Sequence, residues 1–479
     1  MTEIDALADP ETFRPFKDAR ESEDPLGFPD YRSMIERARA QSGSNEAVVT
    51  GGATIGGRDV VLALFEFNFL AGSMGEVAGE RLAEAMEAAA EREIPFVLRT
   101  ATGGARMQEG MRSLIQMPKT VAARLALERA AQPFVAVLGH PTTGGVLASL
   151  GSLADVTIAE DDATIGFAGP RLVELVTGAP PGEDSHNARA AVESGLVDEV
   201  AAADAVRDRV AHCLDLLRPD SPEEPTSGEK PEVRTQVGAT PWPAVRDPNR
   251  ASATGIAREL GDHFELRGDR EGRDDPAVVT MLARVMGRRC ILVALDREHN
   301  PGPAAYRKTR RAIAVGSRLS LPVVTLVDTP GADPSPGSER GGVAWEIAAL
   351  FQTILTAPVP VLSIVTGEGG SGGALAFAAG DLLLIYSDAM FSVIAPDLAA
   401  EILWRDPARD AEAASALRVS AADLRDLGIA DGVLQGPADP ESVRSATAYH
   451  LDRLSNERLD GTARAFRRQA KWRNLGKGR

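Results

Sequence analysis

The chain has 479 residues, 44% hydrophobic and 25% charged, with a formal net charge of −17. That acidity argues against non-specific nucleic-acid binding. Two cysteines, Cys213 and Cys290, with no CxxC pair exclude a disulfide framework or zinc ribbon as the organising feature, and no apolar run reaches the roughly 18 residues of a membrane span.

The N-terminal residues 1–23 are polar and acidic and read as a flexible tail. Their start, MTEIDALADPETF, has no signal-peptide hydrophobic region, so a cytoplasmic location is expected. A first domain follows at 24–218. Apolar periodicity predicts helices at Gly79–Glu93 and Thr120–Ala131. Strand-forming runs are IPFVLRTATGGA (Ile94–Ala105), QPFVAVLGHPTTGGVLAS (Gln132–Ser149) and ADVTIAEDDATIGFAGP (Ala154–Pro170). The stretch PDSPEEPTSGEKPE holds four prolines and five acidic residues without apolar periodicity, which places a linker at 219–245. A second domain at 246–450 repeats the pattern. Its helices are expected at Tyr306–Leu319 and Val343–Thr356, and its runs are LPVVTLVDTPGA, VPVLSIVTGEGGSGGALAF and GDLLLIYSDAMFSVIAP. Residues 451–479, with nine basic and two acidic residues from Arg453 on, read as a basic helix or tail.

The three blocks recur at an offset within one residue of 227, the signature of an internal duplication. Asp155 and Asp381 open matching strands in the two copies. Strands alternating with helices imply α/β units with parallel strands covered by helices.

Each copy carries two glycine turns between a strand and a helix. The first has Thr102-Gly103-Gly104-Ala105-Arg106 and Thr142-Thr143-Gly144-Gly145, and the second has Thr329-Pro330-Gly331-Ala332 and Gly367 through Gly373. A helix N-terminus leaves backbone N–H groups unpaired at the positive end of its dipole. Small residues let a ligand oxygen approach them. Two such turns side by side make an oxyanion hole, so the duplication suggests one hole per copy. Arg106, Arg171, Arg307, Lys308, Arg310 and Arg311 are the basic candidates for phosphate contacts. The six histidines have no ligand spacing, so no metal site is expected.

GEGGSGG also satisfies a dinucleotide fingerprint and a hydrolase elbow centred on Ser371. Glycine-dense segments match such patterns cheaply. The fingerprint falls late in its domain, and only His450 lies downstream to complete a triad. In the first copy the position of Ser371 is taken by Thr143 or Gly144, depending on the gap.

These blocks resemble the two subunits of bacterial acetyl-CoA carboxylase carboxyltransferase. Residues 24–217 are similar to the beta subunit through DPLGF, FEFNFLAGSMGEVAGER, ATGGARMQEGMRSLIQMPKT, PTTGGVLASLGSLADVTIAE and TIGFAGPR; residues 250–435 are similar to the alpha subunit through GDR, PAAYRK, DTPGA, VTGEGGSGGALA and ILW. The resemblance implies two tandem crotonase-like (ClpP/crotonase) ββα-superhelix domains. It implies transfer of CO2 from carboxybiotin, on a separate biotin carboxyl carrier protein, to the α-carbon of an acyl-CoA. A biotin carboxylase is the implied second partner, and a homodimer the implied assembly, with the first half of one protomer meeting the second half of another. By the same analogy Gly103, Gly104, Ala105, Gly144 and Gly145 hold the thioester oxygen, while Gly331, Ala332, Gly369, Gly370, Gly372 and Gly373 hold the biotin ureido oxygen; Arg106, Arg171, Arg307 and Lys308 bind substrate.

The chain departs from that family in three places. The beta subunit's four-cysteine ribbon is missing, so no zinc is expected. The long basic loop before the YRK motif is reduced to DREHNPGPAAYRK, and the segment after Arg171 is divergent, although its Pro180-Pro181-Gly182 survives. A decarboxylase of the same fold is the nearest rival reading, and a serine hydrolase using Ser371 a more distant one.

Overall fold

The computed structural model describes residues 3–218 and 241–476. The chain divides into two units, Met1–Asp215 with Arg270–Arg273, and Leu216–Asp269 with Asp274–Arg479.

In unit 1 the sheet runs through β1 (Arg14–Pro15), β2 (Val48–Ile55), β3 (Arg58–Phe65), β4 (Phe96–Thr102), β5 (Phe134–Thr143), β6 (Val156–Glu160) and β8 (Glu199–Ala201), in that order, with β7 (Ile165–Gly166) paired to the far end of β5. In unit 2 the order is β16 (Gly432–Leu434), β14 (Leu382–Tyr386), β13 (Val361–Gly370), β12 (Val323–Thr329), β11 (Arg288–Leu295), β10 (Val278–Val285) and β9 (Asp262–Glu265), with β15 (Met390–Ser392) paired to the far end of β13. Strands β4, β5, β12 and β13 are almost continuously buried and lie parallel to their neighbours. This is why they read as unbroken apolar runs rather than alternating ones.

The duplication extends to detail. In unit 1, β4 and β5 keep one register from Phe96↔Phe134 to Thr100↔Leu138, then slip so that Thr102 faces Thr142. In unit 2 the register runs from Val323↔Val361 to Val327↔Val365 and slips to Thr329↔Gly369, each position 227 residues on. Asp155 accepts the Phe134 N–H at 2.7 Å and Asp381 accepts the Val361 N–H at 2.8 Å. Asp198 and Asp431 repeat the device on Thr157 and Leu383. Each aspartate, buried except for the half-buried Asp431, satisfies an amide at the start of a strand, where the sheet ladder has no acceptor to offer.

The helices that position the sites are also matched. They are α1 (Glu76–Glu91) and α2 (Gln116–Arg129) in unit 1, and α3 (Pro303–Arg318) and α4 (Val343–Thr356) in unit 2. The first of each pair begins earlier than apolar spacing predicts because its opening turn is polar or proline-led.

Both terminal segments are packed into the fold, and the C-terminal one is helical as its composition allows. Leu7 and Ala8 are buried, β1 pairs with Gly51 and Gly52, and Ser22 is buried against the Glu46 carboxylate. At the other end Gly461–Asn474 is a helix whose buried Arg468 donates to the carbonyls of Ala357 and Val359 and to Asp381. These segments read as tails because their charges find partners far away in sequence. Of the expected linker, residues 219–240 lie outside the described residues, while Trp242–Val245 is a helical turn with Trp242 and Val245 buried beside Met390 and Val419. No helix among the described residues is long and apolar enough to cross a membrane.

Candidate active site

The register slip brings the two turns of unit 1 together. Gly104 and Gly144 both have positive φ, +103° and +66°, a region that L side chains rarely adopt. A Cβ on Gly104 would lie 3.1 Å from the Gly144 Cα. Three of the five expected site residues spend their amides on the framework. Gly103 donates to the Ala71 carbonyl at 2.9 Å, Gly104 to Thr102 Oγ1 at 2.9 Å and Gly144 to the Phe167 carbonyl at 2.9 Å. Ala105 and Gly145, one position further along each turn, have amides without a hydrogen-bond partner among the described residues. A Cβ on Gly145 would lie 3.9 Å from that of Ala105, so the two open amides belong to turns in contact.

Unit 2 repeats this. Gly331 donates to Thr329 Oγ1 at 3.3 Å, and its carbonyl accepts from Asn300 Nδ2 at 2.8 Å. Gly369 and Gly370 are held by pairing with Phe391 and Ser392 of β15, and a side chain on Gly370 would strike the Pro330 carbonyl. The amides of Ala332 and Gly372 are left without a partner among the described residues. Gly373 is the close-approach position. A Cβ there would lie 2.6 Å from the Ala332 nitrogen and 2.9 Å from the Tyr306 hydroxyl. Ser371, with φ +62°, opens the helix Ser371–Ala378 as Gly144 opens Gly144–Ser149, so the counterpart of Ser371 is Gly144.

The expected basic residues separate into buried and exposed. Arg106 is fully buried. Its guanidinium pairs with Glu46 and, at 3.1 Å, with Glu109, and donates to Ser22 Oγ at 2.6 Å and the Ser73 carbonyl at 2.7 Å. Lys308 is buried too, donating to Asp274 at 2.6 Å and the Val278 carbonyl at 2.8 Å. The polar atoms of both are taken up by these partners inside the protein, which makes them framework residues and not the substrate contacts that the sequence suggests. Arg307 is bound to Asp269 at 2.7 Å, and Arg310 to Glu346 at 2.7 Å. Arg311 donates to the Arg267 carbonyl at 3.0 Å. Arg171 alone of these is exposed without a partner among the described residues, in the first turn of the helix Pro170–Thr177.

Two residues near the second turn pair went unread in the sequence. Tyr306 is buried and its hydroxyl has no partner among the described residues. Glu368 sits between Gly367 and Gly369, where burial pushes its carboxyl above the ordinary range despite Arg246 and Arg250 nearby. Neither type is diagnostic inside a glycine-rich motif. Among the described residues no group of three or more His, Cys, Asp or Glu is placed to hold a metal ion.

Known proteins of one family resemble this chain. The family model for acetyl co-enzyme A carboxylase carboxyltransferase-like proteins matches residues 239–475. The chain is 40% identical to the acetyl-coenzyme A carboxylase carboxyl transferase subunits beta/alpha of Salinispora tropica, over 93% of this chain and 85% of that one. It is 35% identical to the probable biotin-dependent acyl-coenzyme A carboxylase beta3 subunit of Mycobacterium tuberculosis, over 90% and 88%. Among solved structures, the transcarboxylase 12S with methylmalonyl-coenzyme A and methylmalonic acid bound superposes with a TM-score of 0.78 at 25% identity, covering 95% of this chain and 89% of that one. A single-chain, multi-domain long-chain acyl-CoA carboxylase gives 0.74 at 22% identity, covering 94% and 46%.

Proposed function

The chain belongs to the acetyl-CoA carboxylase carboxyltransferase family, with the crotonase-like fold in both units, and from that premise we propose that it transfers CO2 from carboxybiotin on a carrier protein to the α-carbon of acetyl-CoA, giving malonyl-CoA. The class of reaction, a biotin-dependent acyl-CoA carboxyltransferase, is that of the family. The choice of acetyl-CoA is the finer reading.

The observation that carries the proposal is the duplicated pair of open amides. Ala105 and Gly145 in unit 1, and Ala332 and Gly372 in unit 2, each offer two N–H groups from small residues in abutting turns. The transition state places negative charge on a thioester oxygen as the α-carbon becomes an enolate. A preorganised donor at such an oxygen is worth on the order of 100–1,000-fold in rate. The unit 1 amides are assigned to that oxygen and the unit 2 amides to the ureido oxygen. Carboxybiotin, when docked, supplies the CO2 and afterwards a nitrogen base. The protein's part is then to fix both oxygens, which needs no acid–base side chain. Arg171 is assigned to a phosphate of coenzyme A.

Biotin carboxyl carrier protein and an ATP-dependent biotin carboxylase are the proposed partners, in the cytoplasm, serving fatty acid or polyketide synthesis. A homodimer is the proposed assembly. It is supported by two matched helices that leave large apolar side chains exposed: Leu172, Leu175 and Val176 on Pro170–Thr177, and Leu398, Ile402 and Leu403 on Pro396–Trp404. Such faces are characteristic of surfaces that become buried on association.

The test is turnover with carboxylated carrier against acetyl-, propionyl- and butyryl-CoA. The highest kcat/KM is expected with acetyl-CoA. Preference for a longer ester would overturn the choice of substrate. Decarboxylation of malonyl-CoA without any carboxylation of acetyl-CoA would favour the decarboxylase reading.

A further inference from the structure

The two pairs of turns are copies, but their surroundings are not. The matched helices α1 and α3 begin at Glu76 and Pro303, 227 residues apart, which sets Tyr306 opposite Gly79. In unit 1 that position has no side chain, and the space over Gly79 is filled by Gln116. In unit 2 it carries a phenol pointing to the place where Ala332 and Gly373 meet. A point one bond off the Gly373 Cα lies 2.6 Å from the Ala332 nitrogen and 2.9 Å from the Tyr306 oxygen. The Tyr306 ring is held against Phe377 with centroids 5.3 Å apart, so the hydroxyl is aimed by packing. It is fully buried and has no hydrogen-bond partner among the described residues.

A buried hydroxyl without a partner is a cost that phenylalanine would avoid while filling nearly the same volume. In a strand-and-helix framework that satisfies its other turn amides this closely, the missing acceptor points to a ligand. We propose that the Tyr306 hydroxyl is a third donor to the oxygen held by the Ala332 and Gly372 amides, and that this donor distinguishes the second oxyanion hole from the first. The proposal rests on the carboxyltransferase reading, in which that oxygen is the ureido carbonyl. Burial above all, and the Asp275 carboxylate after it, push the phenol above its ordinary range, so the hydroxyl keeps its proton throughout the working pH range. A neutral donor suits an oxygen that gains charge only in the transition state. The thioester oxygen of unit 1 has no counterpart to it, because Gly79 supplies no side chain and Met117 sulfur borders Gly145 instead.

The experiment uses Tyr306→Phe in the full chain, which keeps the ring and removes one oxygen. Transfer is measured in reverse, from malonyl-CoA to free biotin, alongside thermal unfolding. The variant is expected to lose roughly 100-fold in kcat. Its KM for malonyl-CoA should be unchanged, because that substrate is bound through unit 1, and its unfolding midpoint should be equal or higher. An active wild type with an equally active variant would overturn the proposal and leave the carboxyltransferase reading intact, as would an equal loss accompanied by a lowered midpoint or a raised malonyl-CoA KM. A wild type without biotin-dependent transfer would overturn both.

Discussion

Gly104 and Gly144 meet backbone to backbone: a Cβ on Gly104 would lie 3.1 Å from the Gly144 Cα, and a Cβ on Gly144 2.9 Å from the Gly104 Cα. Nothing larger than hydrogen fits between the turns, and both residues hold positive φ. Gly104→Ala should therefore force the turns apart and misplace the Ala105 and Gly145 amides. The expected outcome is at least a roughly 100-fold fall in kcat, with a stability loss of about 1–3 kcal/mol from backbone strain. Steady-state turnover and a urea titration of the same sample measure both. Near-normal turnover would mean the contact does not set the site.

Arg106 stands beside the first turn as part of a buried charge cluster with Glu46, Glu109, Tyr31 and Ser22. Removing one partner from a buried pair leaves an uncompensated charge and costs about 3–5 kcal/mol. Glu46→Gln is expected to lower the unfolding free energy from a urea titration by up to that amount, since Glu109 still faces Arg106, while the KM for acyl-CoA of the folded protein stays the same. A raised KM with full stability would restore Arg106 as a substrate contact.

The contrast between Arg106 and the glycines shows what was legible in the sequence. The repeat, the strands and the turns were readable because each is a local pattern: a β-branched run, a break, a fixed offset. Which charges are buried is not local. Glu46 lies 60 positions from Arg106, and Asp274 lies 34 from Lys308. An arginine after a glycine turn therefore reads as a phosphate contact until its carboxylates are seen. Ser22 and Arg468 were misread as tail residues for the same reason. The identity of the open amides was also out of reach, since a register slip after Thr100 decides which of Gly103, Gly104 and Ala105 is spent on the framework.

His450 gives a pH dependence whose sign can be worked out. It is buried in the helix Pro440–Ser455, both ring nitrogens lack a partner among the described residues, and burial, aided by Arg453, pushes its pKa from 6.5 down to about 4. The unfolded chain therefore binds more protons than the folded one between those values, and stability falls as pH drops through that window. By linkage the loss at pH 5 is about 2 kcal/mol relative to pH 8. His450→Leu should flatten this part of the profile and leave stability at pH 8 near that of the wild type. Unfolding midpoints at pH 5, 6 and 8 measure it, and parallel profiles for the two proteins would refute the assignment.

Ser371 occupies with φ +62° the position that Gly144 occupies with φ +66° in the other unit. For an L-residue with a side chain this conformation costs about 1–2 kcal/mol, whereas glycine adopts it freely. The side chain is exposed, and its hydroxyl has a chemical role only in a hydrolase, as the nucleophile. Ser371→Gly should then raise the unfolding midpoint by a few degrees and leave carboxyl transfer within about twofold, because the Ala332 and Gly372 amides are backbone groups that the substitution does not remove. A nucleophilic serine requires the opposite, with hydrolysis of an acyl ester abolished. Measuring transfer, ester hydrolysis and thermal unfolding on one preparation separates the cases, since unchanged stability together with lost turnover would place the serine hydroxyl in the chemistry.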